Sequence, residues 1–360
     1  MKAPFVEVTN GSRDARSPTQ CFCKIRTRRS ALSDQGHFRS ARPMRKLLVQ
    51  RTPCSKPTCR LMKLAAPIAI LPVSPTGPRP RDDELDLYGL THTGRVREEN
   101  QDHFLLATVH PQVVVHGTSL PQPEGLELRG QRLATIMLVA DGVGGSAAGS
   151  EASRVTTEAV TRYFASTLRC YHTVGSTSES DFTNALRAAA HEAHNAVRAE
   201  AQARGESRDM ATTLSLAIFV WPWMYVLQVG DSRCYFFQNG VLRQVTRDQT
   251  LAQDMIDRGV LTPEKAHASP LNHVLSSAIG ASEALPEITR VDVRERGSVT
   301  IVCSDGLTKH VSDDEIASHL GLMTSAEQVC RVLLELALDR GGSDNITLVV
   351  GRARKSESAN

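Results

Sequence analysis

The chain has 360 residues, enough for one large domain or two average ones, and its 41 % hydrophobic content supplies a sizeable core. Its net charge of +3 is unevenly spread: residues 1–80 hold 16 Lys and Arg against 3 Asp and Glu, which leaves an acidic remainder. That sign excludes a nucleic-acid-binding fold for the body of the chain, and it suits a domain that collects divalent cations.

The first 80 residues are rich in Arg, Ser and Pro and show little apolar periodicity. This composition predicts a disordered basic arm, residues 1–82, closed by a linker carrying Pro72, Pro75, Pro78 and Pro80. Two readings of the arm stand side by side. It is a device for reaching acidic surfaces, or it is translated sequence upstream of a start at Met62. Leu64–Val73 is too short and too interrupted by proline for a signal peptide. Cys21, Cys23, Cys54 and Cys59 lack zinc-site spacing. Cys170, Cys234, Cys303 and Cys330 are scattered, and Cys234 and Cys303 lie in apolar strand contexts as small buried hydrophobes. Together the cysteines suggest a reducing, cytoplasmic setting.

The ordered body is expected over 83–353, with a polar tail at 354–360. Leu85–Leu90 and His103–Thr108 read as the first strands, flanking a turn at 92–95, and residues 109–131 as a long hairpin loop. After Gly145, Val155, Ala159, Val160, Tyr163 and Phe164 recur at helical spacing. Asp181 is placed to cap a second helix with Phe182, Leu186, Ala190, Ala193 and Val197 inward. Ala211–Gly230 is uncharged and about long enough to span a bilayer, but Pro222 divides it. Its halves, Thr212–Val220 and Met224–Val229, predict a buried hairpin instead. Residues 241–290 mix short strands with a helix carrying Leu251, Met255 and Ile256, and further helices are expected at Asp313–Leu320 and Ser325–Asp339. Ile346–Val350 is the last strand. A helix pair set into a strand-rich chain predicts an α+β layered fold.

Four aspartates share one local grammar. Asp141 follows an apolar run and precedes Gly142-Val143-Gly144-Gly145; Asp231 precedes Ser232-Arg233; Asp305 precedes Gly306; Asp344 lies in Gly341-Gly342-Ser343-Asp344-Asn345 before the last strand. One such motif is ordinarily a turn aspartate. Four of them, at the ends of strands in one sheet system, can converge at one edge, where their mutual repulsion calls for oxygen-ligated hard cations such as Mg²⁺ or Mn²⁺.

Read with Arg97-Glu98-Glu99-Asn100-Gln101-Asp102, these motifs follow in an order that resembles the metal-dependent protein phosphatases of type 2C, in their compact bacterial form, over roughly residues 85–352. The resemblance implies a four-layer αββα sandwich, two antiparallel sheets flanked by helices, with a two-ion Mn²⁺ or Mg²⁺ centre in a cleft at one end and a third, weaker ion site. It implies that Asp141 bridges two ions with the Gly142 carbonyl on one of them, and that Asp305 and Asp344 complete the first shell. Asp102 would act through metal-held water, Gln101 beside the second ion, and Asp231 with Asp305 at the third. Arg97 would hold the substrate phosphate, and a flap at about 247–285 would influence substrate choice. The implied reaction is hydrolysis of phosphoserine and phosphothreonine in proteins by a metal-bridging hydroxide, without a phosphoenzyme. The substrates would be a bacterial Ser/Thr kinase or its targets, met by a cytoplasmic monomer needing neither membrane nor nucleic acid.

Two positions depart from the family pattern: Gln101 stands where many relatives carry Glu, and Val143 where animal members carry a His proposed as general acid. Competing readings are a weak phosphatase-like regulatory binding module and a cysteine phosphatase built on Cys23/Arg29 or Cys54/Arg60. The last lacks the glycine content and helix signal of a phosphate cradle. A basic nucleic-acid-binding protein finds support in the arm alone.

Overall fold

The computed structural model describes residues 78–115, 119, 128–144, 147–173, 179–205, 210–267 and 269–354; for 168–173 and 267 it describes the backbone alone. The arm up to residue 77, its four cysteines, Met62, the segment 64–73, the Cys170 side chain and the tail from 355 lie outside the described residues.

Among the described residues, twelve strands and seven helices follow in the order β1 (Leu85–His92), β2 (His103–Val109), β3 (Ala134–Ala140), β4 (Gly142–Val143), α1 (Ala147–Thr173), α2 (Glu179–Arg204), β5 (Ala211–Thr212), β6 (Leu214–Val220), β7 (Trp223–Val229), β8 (Arg233–Gln238), β9 (Val241–Gln244), α3 (Leu251–Asp257), α4 (Pro263–His267), β10 (Glu287–Asp292), β11 (Val299–Cys303), α5 (Asp305–Thr308), α6 (Asp313–Gly321), α7 (Ala326–Asp339) and β12 (Ile346–Ala353). One five-stranded sheet runs β1-β12-β11-β8-β9 and the other β10-β7-β6-β3-β2, with every pair antiparallel.

The side-chain alternation of each central strand explains the layers. In β3, Ile136 and Leu138 face α1 and α2, while Met137 and Val139 face the other sheet. In β12, Ile346, Leu348 and Val350 pack under α6 and α7, while Val349 points between the sheets. Both faces of these strands are covered, so their sequences are continuous apolar runs rather than alternating ones. Cys234 and Val302 join the inter-sheet core, whereas Cys303 on β11 and Cys330 on α7 belong to the core between the sheet and α6–α7, all as buried hydrophobes. Burial pushes the Cys303 and Cys330 thiols up to about 12, which makes them unreactive. The fold is thus the αββα sandwich, with α1 and α2 on one outer face and α6 and α7 on the other.

Several local expectations are corrected. α2 starts at Glu179, so Asp181 lies inside its first turn, where a carboxylate favours the helix dipole, and it is not the cap. The uncharged hairpin is β6–β7, and Ala211–Thr212 splits off to pair with β4. The α3 side chains are less buried than their apolarity suggests: Ala252 is buried, Met255 and Ile256 are half-buried, and Leu251 is exposed. Between α3 and β10 lie a short helix α4 and a 3₁₀ turn Pro270–His273, neither visible as an apolar pattern. Among the described residues no helix is long and apolar enough to cross a membrane.

Candidate metal centre

Four chain segments end at the same edge of the sandwich: the 93–102 loop, the β3–β4 junction, the β11–α5 junction and the start of β12. They line a cleft of about 700 Å³ together with Asp231 and parts of 248–275. Arg97, Gln101, Asp141, Gly142, Asp231, Asp305 and Asp344 all border it. Asp102 lies just beneath, 4 % exposed.

Each carboxylate is positioned by its own backbone. Asp141 is fixed by strand pairing and by two threonines: Thr213 Oγ1 accepts from its N–H at 3.0 Å, and Thr212 Oγ1 donates to its carbonyl at 2.7 Å. The Asp231 turn is held by Gln228, whose amide donates to the carbonyls of Gly230 and Ser232, and by Gln249, whose side chain accepts from Gly230 N–H at 2.9 Å. Asp305 opens the one-turn helix α5 rather than a plain turn. Asp344 precedes Asn345, a 4 %-exposed residue that works as a clasp. The Asn345 amide donates to the carbonyls of Thr93 and Glu99 at 2.8 and 2.9 Å and accepts from Gln101 N–H at 2.8 Å. It thereby ties the 93–101 loop to β12.

The glycines beside the aspartates serve a different purpose from the one their sequence suggests. A Cβ on Gly142 would lie 2.3 Å from the Gly149 carbonyl oxygen, and one on Gly306 would lie 1.9 Å from that of Asn345. Neither residue has positive φ. They are needed so that backbone segments can touch each other, which brings the carboxylates together. Gly94 and Gly230 differ, with φ +83° and +98° as well as a crowded Cβ position.

The electrostatics divides the cluster. Burial, with repulsion from Asp102, Asp305, Asp231 and Asp344, holds Asp141 well above the usual carboxylate range. Burial, opposed by hydroxyl contacts such as Ser304 Oγ donating to Asp102 Oδ2 at 2.8 Å, leaves Asp102 pushed up to about 6. Burial and the charges of Asp305 and Asp248 push Asp231 up to about 7. Asp344 goes the other way: burial would raise it, but Lys309 and Arg97 outweigh that and hold it below the ordinary value. Lys309 Nζ stands 2.7 Å from both Asp305 Oδ2 and Asp344 Oδ2, and Arg97 Nε stands 2.8 Å from Asp344 Oδ1.

Among the described residues no three His, Cys, Asp or Glu side chains form a ready-made metal site. The donor set nevertheless fits hard cations. Its side-chain donors are all oxygen, its carboxylates repel one another, and Asp102 Oδ1 and Asp305 Oδ1 are buried with no hydrogen-bond partner. The described cysteines, Cys234, Cys303 and Cys330, stand apart from it, buried within the cores of the layers.

Several cleft residues have no counterpart in the sequence expectations. Lys309 is one; its signal is the i,i+4 spacing from Asp305. Asn345 is another, legible only as a polar residue at the mouth of an apolar strand. Arg233, although beside Asp231, is occupied by a forked contact to Asp248, with Nη2 at 2.6 Å from Oδ2. His273 and His310 also line the cleft, and His310 Nε2 accepts from Ser343 N–H at 3.0 Å. Val143 presents a 39 %-exposed apolar side chain to it.

Residues 127–339 match the protein phosphatase 2C family. The chain belongs to that family. The match stops short of Arg97, Gln101 and Asp102 on one side and of Asp344 on the other. A curated relative, the serine/threonine protein phosphatase PstP of Mycobacterium tuberculosis, is 35 % identical over 217 residues, 60 % of this chain and 40 % of PstP. The chain therefore spans less than half the length of that relative. The serine/threonine phosphatase stp of Listeria monocytogenes is 31 % identical over 60 % of this chain and 83 % of its own. The crystal structure of the M. tuberculosis phosphatase PstP/Ppp superposes with a TM-score of 0.60 at 28 % identity, covering 75 % of this chain and 99 % of that one. A PstP catalytic domain in complex with two manganese ions gives 0.58 at 27 % identity, over the same 75 % and 99 %. These neighbours share the sandwich of two antiparallel sheets flanked by helices.

Proposed function

We propose that this chain is a metal-dependent protein phosphatase acting on phosphoserine and phosphothreonine. The observation that carries the reading is the convergence of five aspartates from five separate segments on one cleft, in a 2C-family fold whose PstP neighbour holds two manganese ions. Asp141, Asp305 and Asp344, with the Gly142 carbonyl, would hold two ions, Mn²⁺ or Mg²⁺. Asp102 and Gln101 would act from the second rank, and Asp231 with Asp305 at a third ion. Bound there, such ions supply charge that acidifies water and stabilises phosphoryl oxygens.

The chain's own residues do the rest. Asp141 feels the charge of all four other aspartates, which supports a role serving both ions. Arg97 sits at the rim, 54 % exposed, with a planar fork suited to two phosphate oxygens. Asn345 and Thr213 hold the loop and the β3 end in register with each other. Valine at 143 has no proton to give, so protonation of the leaving alkoxide falls to solvent. The flap segment 247–285 contributes Asp248, Asn272, His273 and Leu275 to the wall, where a substrate peptide would pass. The natural substrates would be a Ser/Thr kinase or its targets, with the chain working as a cytoplasmic monomer in signal transduction. The body, residues 83–353, would be the catalytic domain, and the arm before it dispensable for small substrates.

The test is phosphate release from phosphoserine, phosphothreonine and phosphotyrosine peptides, with Mn²⁺, with Mg²⁺ and in EDTA. Release from the first two that requires added metal supports the reading. Turnover undiminished in EDTA contradicts it, and binding without any turnover favours the regulatory module.

A further inference from the structure

Lys309 occupies a position the catalytic reading gives no task. It caps α5, and its N–H donates to the Asp305 carbonyl at 2.8 Å, so its side chain returns along the face that carries Asp305. Its ammonium lies 2.7 Å from Asp305 Oδ2 and 2.7 Å from Asp344 Oδ2, with the side chain 25 % exposed. Among the described ion pairs it alone joins two aspartates of the cluster. Arg97 touches Asp344 only, and from a more exposed position.

We infer that Lys309 is a built-in competitor for the metal centre: it holds the Asp305–Asp344 pair in the metal-free protein, and a divalent ion takes that pair by displacing it. The inference rests on the metal reading of the cleft. An ammonium and a doubly charged ion cannot share the same carboxylate oxygens without strong repulsion. Lysine is a compact charge on a flexible stem, so it can leave without moving the backbone. Whatever free energy the ammonium gains from the two carboxylates must be given up when the ion binds, so the two occupancies are reciprocally coupled. Lys309 thus holds the carboxylates in place without metal and sets the ion concentration at which the centre fills. Among the described residues Asp102, Asp141 and Asp231 have no ion pair of this kind; the ammonium acts on Asp231 only through its charge, so the displacement centres on the Asp305–Asp344 side.

The experiment is Mn²⁺ titration by calorimetry, with thermal melting of the metal-free protein, on the full chain and on K309Q, K309R and D344N. K309Q keeps hydrogen-bond donors and loses the charge. It is expected to bind its tightest Mn²⁺ on the order of tenfold more strongly than the parent, a typical coupling between two sites, and to melt lower without metal. K309R should stay close to the parent in both. An unchanged or weakened Mn²⁺ affinity in K309Q overturns the inference, as does K309R behaving like K309Q. Chelator competition started from Mn²⁺-loaded protein gives the same ratio if K309Q does not survive without metal. D344N separates the two levels: if it leaves Mn²⁺ binding intact, the metal reading itself fails. If it weakens binding while K309Q changes nothing, only the role of Lys309 falls.

Discussion

The two sides of the carboxylate cluster are built from the same short grammar and behave in opposite ways. Asp102, Asp141 and Asp231 form a floor whose ionisation is suppressed by burial and by neighbouring carboxylates, Asp305 among them each time. Asp344 stands on a wall where Lys309 and Arg97 hold it ionised, and Asp305 shares the same ammonium. The difference comes from which cations the fold brings within reach, and no Asp-Gly motif records that. The floor resists ionising until a divalent ion neutralises it, while Asp344 on the wall stands ready-charged and guarded.

The sharpest way to break this contrast is to remove one carboxylate from each side. Asp141→Asn and Asp305→Asn should each lower kcat at least about a thousandfold, roughly 4 kcal/mol of transition-state stabilisation, with the melting temperature of the metal-free protein maintained or raised. Raised stability is expected chiefly for Asp141→Asn, because it relieves the repulsion. Normal turnover in either variant would remove that residue from the centre.

Arg97→Ala should cost about 2–4 kcal/mol in kcat/KM, as expected for loss of a charged transition-state contact. Its Mn²⁺ affinity should change little, because Arg97 is the more exposed of the two wall cations and solvent screens it. Unchanged steady-state kinetics would make it a surface charge. Asn345→Ala strips three bonds from a buried clasp and should destabilise the chain by about 2–3 kcal/mol, read by urea unfolding. A shift confined to Mn²⁺ affinity, with stability untouched, would show that the clasp tunes the site alone.

A smaller effect separates the floor from the wall by pH. Asp102 and Asp231 titrate in the fold near 6 and 7, above the unfolded value of 3.8, so the folded state holds protons the unfolded chain has already lost. Their sign is therefore destabilising with rising pH: metal-free stability should fall from about pH 4 to 7. Asp344, lowered in the fold, contributes stability present above its unfolded value and lost as pH drops below it. Stabilisation by Mn²⁺ should grow over the same rising window, since ions bind the ionised carboxylates. A metal-free melting temperature flat between pH 4.5 and 7.5 would contradict the raised floor.

Much of this was legible in the chain. Continuous apolar runs such as Ala134–Ala140 announced strands covered on both faces, and the order of the aspartate motifs announced the cleft. What escaped was carried by long-range contacts. The need for Gly142 and Gly306 arises from backbones over there, at Gly149 and Asn345, rather than from their own φ. The separation of Ala211–Thr212 from β6 follows from pairing with β4, which no hydropathy pattern encodes. The helices between 251 and 273 bury few apolar side chains, so periodicity gave little notice of them. Lys309 was hidden because a lysine after a turn is ordinarily a solvated charge, and its two partners lie on different segments.

The central claim is that both sides of the cluster ligate ions in one cleft, and Mn²⁺ stoichiometry tests it most directly. Equilibrium dialysis of the full chain near pH 7.5 should find at least two Mn²⁺ per chain, and Asp141→Asn, which removes the aspartate repelled by all the others, should lose both together. A parent chain that binds none, or an Asp141→Asn variant that binds as many as the parent, would contradict the account.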